Sequence, residues 1–291
     1  MRVRIRGIAC EHTAGPAIRP TDFDELVRED PGVTAGESVG LGDGGGASLD
    51  RPGLAAQAGF DGVEILFPYD HPVKDWQAAL AGMPLALINT PPGDWASGDR
   101  GHAAVPGMEE TFRAHFLRAA DIATRLGAGK VHIMAGVAKG PQATEVFVEN
   151  LIWAAQTAPE LGFTIEPLNA EDWPGYFLND FDQAARILQD LDPSSRVGLQ
   201  FDVWHATRIH GDAQAVWEKH RDLVNHVQIA GFPTRAEPGG GGFDLTAMFR
   251  DLDEKAYDGW VAAEYRPARA TVHGLGWLNA LKARDRMIGI G

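Results

Sequence analysis

Short apolar runs alternate with amphipathic stretches along most of this chain. From residue 54 onward the unit repeats: an apolar run, a loop, then a segment of helical period. The apolar runs are GVEILF (62–67), PLALIN (84–89), KVHIMAG (130–136), FTIEPLN (163–169), VGLQFDVWH (197–205), VNHVQIAG (224–231) and WVAAEYRP (260–267). These seven runs predict seven strands. Helices are predicted over 109–126, 143–158, 180–191, 244–253 and 274–283. In the first of them Phe112, Phe116, Ala119, Ala120, Ile122 and Ala123 fall close to i, i+4, i+7 spacing, which makes one buried stripe. Strands alternating with helices build parallel βαβ units. Eight such units close a (β/α)8 TIM barrel of about 250 residues. The predicted fold class is therefore α/β, a (β/α)8 TIM barrel with an atypical first β/α unit whose completeness the pattern leaves open.

The eighth strand belongs at the start. RVRIRGIA (2–9) can form a strand, but its alternating charges suit an edge better than a barrel interior. Residues 30–53 are rich in Gly and poor in apolar side chains, as in a linker or a disordered segment. A compact barrel has no place for so long a loop. The expected organisation is an irregular or partly ordered segment over 1–53 and the barrel over 54–291, with 54–59 as the tail of the first helix.

Composition narrows the function classes. The chain has 291 residues, 44% hydrophobic, enough to bury a sizeable core. Its formal charge of -14, with no Lys/Arg cluster, would repel a phosphate backbone, so a small-molecule partner is expected rather than nucleic acid. Cys10 is the single cysteine, which excludes an intrachain disulfide and a thiolate zinc site. The opening MRVRIRGIAC has no apolar core of a secretory signal, and no run of about 18 apolar residues occurs. A cytoplasmic enzyme is the expectation, and a homo-oligomer is compatible with it. There is no GxSxG elbow, no GxGxxG after a strand and no HExxH.

Catalytic groups of such a barrel sit where the strands end, because the eight βα loops converge there. Four late runs each place one oxygen-bearing side chain at that rim: Glu166, Asp202, Gln228 and Glu264. Each alone reads as an ordinary loop residue. Together, inside apolar runs where a lone carboxylate is costly to bury, they call for a counter-ion. Four side-chain oxygens suit a hard divalent cation, Mg2+ or Mn2+. His205, three residues after Asp202, can orient substrate or support a ligand, or be a plain polar loop residue. Arg235 can fork onto a substrate carboxylate or hydroxyls, or make a surface ion pair. The loop of residues 89–107 begins at Asn89 and carries Asp94, Trp95, Asp99 and Arg100. Loops of that length usually cover active sites, so Asn89 and Trp95 are expected to meet substrate. The glycine run 239–242 is expected to be a closing loop, and not a phosphate loop, since no Lys-Ser/Thr follows it.

FDGVEILFPYD (60–70), NTPPGDWASGDRG (89–101), HIMAG (132–136), VENL (148–151), IEPLN (165–169), PGYFL (174–178), QFDVWH (200–205), HVQIAG (226–231) and AAEYRP (262–267) resemble hydroxypyruvate isomerases, a family within the xylose-isomerase-like TIM barrels. The likeness spans about residues 54–284, and the PPGDWASGDRG loop is its most specific piece. It implies interconversion of hydroxypyruvate and tartronate semialdehyde, a step of glyoxylate and carbohydrate metabolism. Glu166 and Glu264 would be the acid–base pair. Those two with Asp202 and Gln228 would hold the metal, and His205 and Arg235 would contact substrate. The chain departs from the family after the seventh strand, where Gly231, Phe232, Ala236 and Gly242 stand for Asp, Asn, His and Glu. The rival expectations are isomerisation of 2-dehydrotetronate, epimerisation of a ketose, and a barrel that binds a ligand without turnover. A phosphodiester-cleaving barrel would need more rim histidines.

Overall fold

A computed structural model describes residues 5–239, 242–269 and 271–287, apart from 10–48, and for 5–9 it describes the backbone. Eight strands form one parallel sheet: β1 (Ile5–Ala9), β2 (Val63–Glu64), β3 (Leu85–Asn89), β4 (Lys130–His132), β5 (Gly162–Ile165), β6 (Val197–Asp202), β7 (Val224–Ile229) and β8 (Val261–Glu264). The hydrogen-bonded order β1-β8-β7-β6-β5-β4-β3-β2 follows the chain around a barrel. All the ladders are parallel. Strands β1 and β2 lie side by side, which brings the two ends of the sheet together.

The strand missing from the apolar pattern is Ile5–Ala9. It pairs with β8 through Ile5↔Val261, Ile8↔Ala263 and Ala9↔Glu264. The segment expected to stand apart from the barrel thus contributes one of its staves. The first helix, α1 (Arg51–Gln57), begins earlier than the tail predicted at 54–59. The linker expected over 30–53 lies, from 30 to 48, outside the described residues.

Helices α2 (Val73–Leu80), α3 (Glu109–Leu126), α4 (Pro141–Thr157), α5 (Phe181–Gln189), α6 (Val203–His210), α7 (Ala213–His220), α8 (Leu245–Glu254) and α9 (Gly276–Met287) complete the fold. Helix α3 matches its predicted bounds. Glu109 and Glu110 sit in its first turn and Arg125 in its last, where each charge complements the helix dipole. Gly127 ends it in the left-handed region at φ 67°. None of the described helices is long and apolar enough to cross a membrane.

Alternation along the strands separates two interiors. Outward side chains meet the helices: Phe163 packs on Phe116 of α3, and Phe201 on Phe181 of α5 and Trp217 of α7. The inward positions one residue away are polar and buried: Thr164, Gln200, Asp202, His226, Gln228 and Glu264. The apolar core therefore lies between sheet and helices, and the bore is left for chemistry.

Candidate active site

Register sets the site. Asp202 of β6 stands opposite Gln228 of β7, and Gln228 opposite Ala262 of β8, two residues before Glu264. Glu166 follows β5 directly. All four predicted residues are buried at the same end of the barrel.

Asp202 serves two elements at once. The run 197–205 is not one strand: it breaks at Asp202, whose Oδ1 accepts the Trp204 N–H (2.8 Å) and caps α6. This cap turns His205 into the first helical turn, over the bore. Asp202 Oδ2 meets Arg235 Nη2 at 3.2 Å and His205 Nε2 at 3.7 Å. Arg235 Nη2 also reaches Glu264 Oε2 at 3.4 Å. Arg235 is thus a buried cation bridging two of the predicted carboxylates. It rides on a turn that folds back on β7, where the Gly231 N–H donates to the Ala236 carbonyl (2.8 Å).

Glu166, Asp202 and His205 each offer one N or O atom within 4.8 Å of the others, close enough together to share a metal ion. Burial, with the Glu264 and Asp202 carboxylates nearby, pushes the Glu166 carboxyl well above its usual range. His205 is held well below the usual imidazole range by burial, then by Arg235 and His132. Its Nδ1 faces the Asn169 N–H at 3.0 Å and the Asn169 side-chain amide at 2.9 Å.

Gln228 is tied on both sides of its amide. Its Oε1 accepts from Gln200 Nε2 (2.6 Å), and its Nε2 donates to Glu64 Oε2 (3.0 Å). Glu64 Oε1 closes onto His226 Nε2, so a contact between non-adjacent strands crosses the bore. Asn89 is buried, its Oδ1 3.2 Å from His132 Nδ1, which itself lies 3.7 Å from Glu166 Oε2. Burial depresses the His132 pKa to about 3, with His226 adding to it.

Trp95 lies over the mouth. Its ring meets Phe67 beyond β2 and Trp173 beyond β5, with centroids 6.1 Å and 5.4 Å away. Asp94 caps the short turn that carries Trp95, accepting the Ala96 and Ser97 N–H groups. Of the glycine run 239–242, residues 240 and 241 lie outside the described residues.

His132, Asn169, Glu64, Gln200 and His226 are absent from the residues the sequence singles out. The signal that marks Glu166, a polar side chain inside an apolar run, is present for Glu64 in GVEILF and for His132 in KVHIMAG.

Known proteins place this geometry. The family model for xylose isomerase-like TIM barrels matches residues 52–281. A 2-oxo-tetronate isomerase of Cupriavidus necator is 40% identical over 82% of this chain and 94% of its own. Hydroxypyruvate isomerase of Escherichia coli is 36% identical over 79% of this chain and 92% of its own. A solved structure from Brucella melitensis, described as an AP endonuclease of family 2, is 37% identical, with a TM-score of 0.74 over 80% of this chain and 92% of that one. With relatives of that identity along nearly their whole length, the chain is an isomerase and belongs to the xylose isomerase-like TIM-barrel family.

Proposed function

We propose that this isomerase interconverts hydroxypyruvate and tartronate semialdehyde through an enediolate, with a divalent cation held by Glu166, Asp202, Gln228 and Glu264. The observation that carries the reading is charge. Glu166, Asp202 and Glu264 bring three carboxyl groups to one buried place against the single guanidinium of Arg235, a formal excess of one negative charge while Glu166 is protonated and of two once it ionises. A divalent ion matches that excess, and the donors are oxygens, as Mg2+ or Mn2+ prefers. That Arg235 already bridges two of the carboxylates marks the place as one that takes positive charge. When bound, such an ion supplies Lewis acidity that favours the enediolate charge.

The rest is work for the chain's own groups. Glu264 takes the proton from C3 of hydroxypyruvate. The electron pair forms the C2–C3 double bond and passes charge to O2. Glu166, the acid of the pair, whose pKa burial and the neighbouring carboxylates raise, returns a proton to C2, and the hydroxyl hydrogen moves from O3 to O2. The two glutamates end with exchanged protonation, ready for the reverse reaction. His205 and Arg235 hydrogen-bond substrate oxygens, and Asn89 and Trp95 wall the pocket.

A larger substrate, 2-oxo-tetronate, is the second reading, favoured by the Cupriavidus necator relative. The test is turnover of each acid by purified protein, with and without added Mg2+ or Mn2+. Metal-stimulated conversion that falls at least ~1,000-fold in Glu264→Gln supports the proposal, as expected for loss of a proton-transfer group and its charge. Near-normal activity in that variant overturns the assignment.

A further inference from the structure

A 2-oxo acid presents a carboxylate, and an acidic protein needs a cation to receive it. Around the mouth, the charge of Arg235 is already offset by two carboxylates, Asp202 and Glu264, and Arg208 is paired with Glu171. Arg100 is placed differently. Its guanidinium carbon lies over the Trp95 ring, 3.8 Å from the centroid, and 5.8 Å from the centroid of the Trp173 ring. Its Nη1 donates to the Trp95 carbonyl (3.1 Å) and the Asp99 carbonyl (2.6 Å). The neighbouring Asp99 carboxylate attracts the guanidinium through space but makes its hydrogen bonds to other groups: Oδ2 accepts the Asp94 N–H (2.9 Å) and faces His102 Nε2 (3.4 Å). Nη1 is thus spoken for, while Nη2 and Nε keep hydrogens in the plane of the fork, the arrangement that meets a carboxylate two-pronged.

The surroundings connect this cation to the bore. The Trp173 main-chain N–H donates to the Asn169 carbonyl (3.0 Å), and Asn169 is the residue that holds His205. The loop carrying Arg100 is stitched to the loop after β4 by the Gly101↔Ala135 bridge and by the Ala104 N–H to Ala135 carbonyl bond (2.7 Å). The loop after β4 is stitched in turn to the loop after β5 by Val137↔Tyr176. The Trp95 ring beneath it and two carbonyls hold the guanidinium before any ligand arrives, so little side-chain entropy remains to be lost on binding.

We propose that Arg100 receives the carboxylate of the 2-oxo acid and sets a preference for carboxylated over neutral hydroxyketone substrates. The inference rests on the isomerase reading above and adds its specificity residue. Dihydroxyacetone is the neutral counterpart of hydroxypyruvate, with the same reacting carbons and a hydroxymethyl group in place of the carboxylate.

The experiment compares wild type, Arg100→Gln and Arg100→Lys on both compounds, with pyruvate binding by titration calorimetry beside it. Arg100→Gln should raise KM for hydroxypyruvate roughly 10–100-fold, the scale of a lost charged hydrogen-bonded contact. It should leave kcat and the dihydroxyacetone kcat/KM nearly unchanged, and Arg100→Lys should recover part of the loss. Equal losses on both compounds would mean that Arg100 only staples the loop, and an unchanged preference would mean that another group takes the carboxylate; either overturns the proposal. If wild type turns over neither compound, the hydroxypyruvate reading fails separately. Pyruvate then decides for Arg100: binding that weakens tenfold or more in Arg100→Gln supports its role, and equal or absent binding in both proteins overturns it.

Discussion

The Asn169 main-chain N–H points at His205 Nδ1 from 3.0 Å, and this one bond settles the ring's chemistry. A backbone N–H can only donate, so Nδ1 must accept, and in the neutral ring the proton sits on Nε2. Nε2 is the atom that faces Asp202 Oδ2 at 3.7 Å. A metal ligand needs a lone pair, and this nitrogen carries a hydrogen. Although His205 lies close enough to Glu166 and Asp202 to share an ion with them, it is set up as a hydrogen-bond donor.

His205→Asn should therefore lower kcat/KM by about 100-fold or more, the usual scale for a lost proton-handling or oxygen-binding group. Mn2+ affinity, read by titration calorimetry or by electron paramagnetic resonance, should fall less than roughly tenfold, within the range of outer-sphere partners. Abolished metal binding in the variant would make His205 a ligand and sink the tautomer argument.

Buried neutral histidines also give the fold a pH dependence. His132, with its pKa depressed to about 3, and His205, well below the usual value, stay uncharged in the folded barrel. In the unfolded chain each picks up a proton below about pH 6.5. Their stabilisation is present above that pH and is lost as pH falls, at about 1.4 kcal/mol per pH unit for each ring until its folded pKa is reached. Glu166 has the opposite sign. Its raised folded pKa contributes below the unfolded carboxyl value, and that contribution is lost as pH rises. Below about pH 6.5, where both rings take up protons in the unfolded chain, two rings against one carboxyl leave the histidines ahead. Thermal melts of chelator-treated protein should show Tm falling from pH 6 to 5, and His132→Asn should flatten the slope. A Tm that holds steady or climbs over that range would contradict the account.

The parts legible in the sequence were those with a local cause. Seven strands show as apolar runs, and Glu166, Asp202, Gln228 and Glu264 show as polar atoms that such runs should not carry. Ile5–Ala9 hides because Arg6 breaks its apolar run and Arg2 and Arg4 charge the sequence that leads into it. Helix α6 hides because it grows straight out of β6 once Asp202 caps it. The partners of the site hide for a different reason. That Glu64 meets His226 across 162 positions, or that Asn169 meets His205, depends on which strands and loops face each other after closure. No periodicity along the chain encodes that.

The turn that delivers Arg235 has its own constraint, at Gly231. A methyl group there would fall inside contact distance of the Glu237 carbonyl oxygen and press on the Ala236 and Gly239 carbonyls. These atoms are backbone, so a larger side chain must push the whole turn outward rather than rotate a neighbour aside. The turn also carries the Arg235 carbonyl that accepts the Arg266 N–H (2.7 Å), which anchors it to the strand end after Glu264. Gly231→Ala should cost about 1–3 kcal/mol of stability, the range for overpacking a filled site. Activity should fall further than that loss of folded protein explains, because Arg235 would no longer sit between Asp202 and Glu264. Urea unfolding set beside kcat/KM measured well below the melting range separates the two effects. A variant with wild-type stability and wild-type kcat/KM would show that the turn moves freely and that Arg235 does not depend on it.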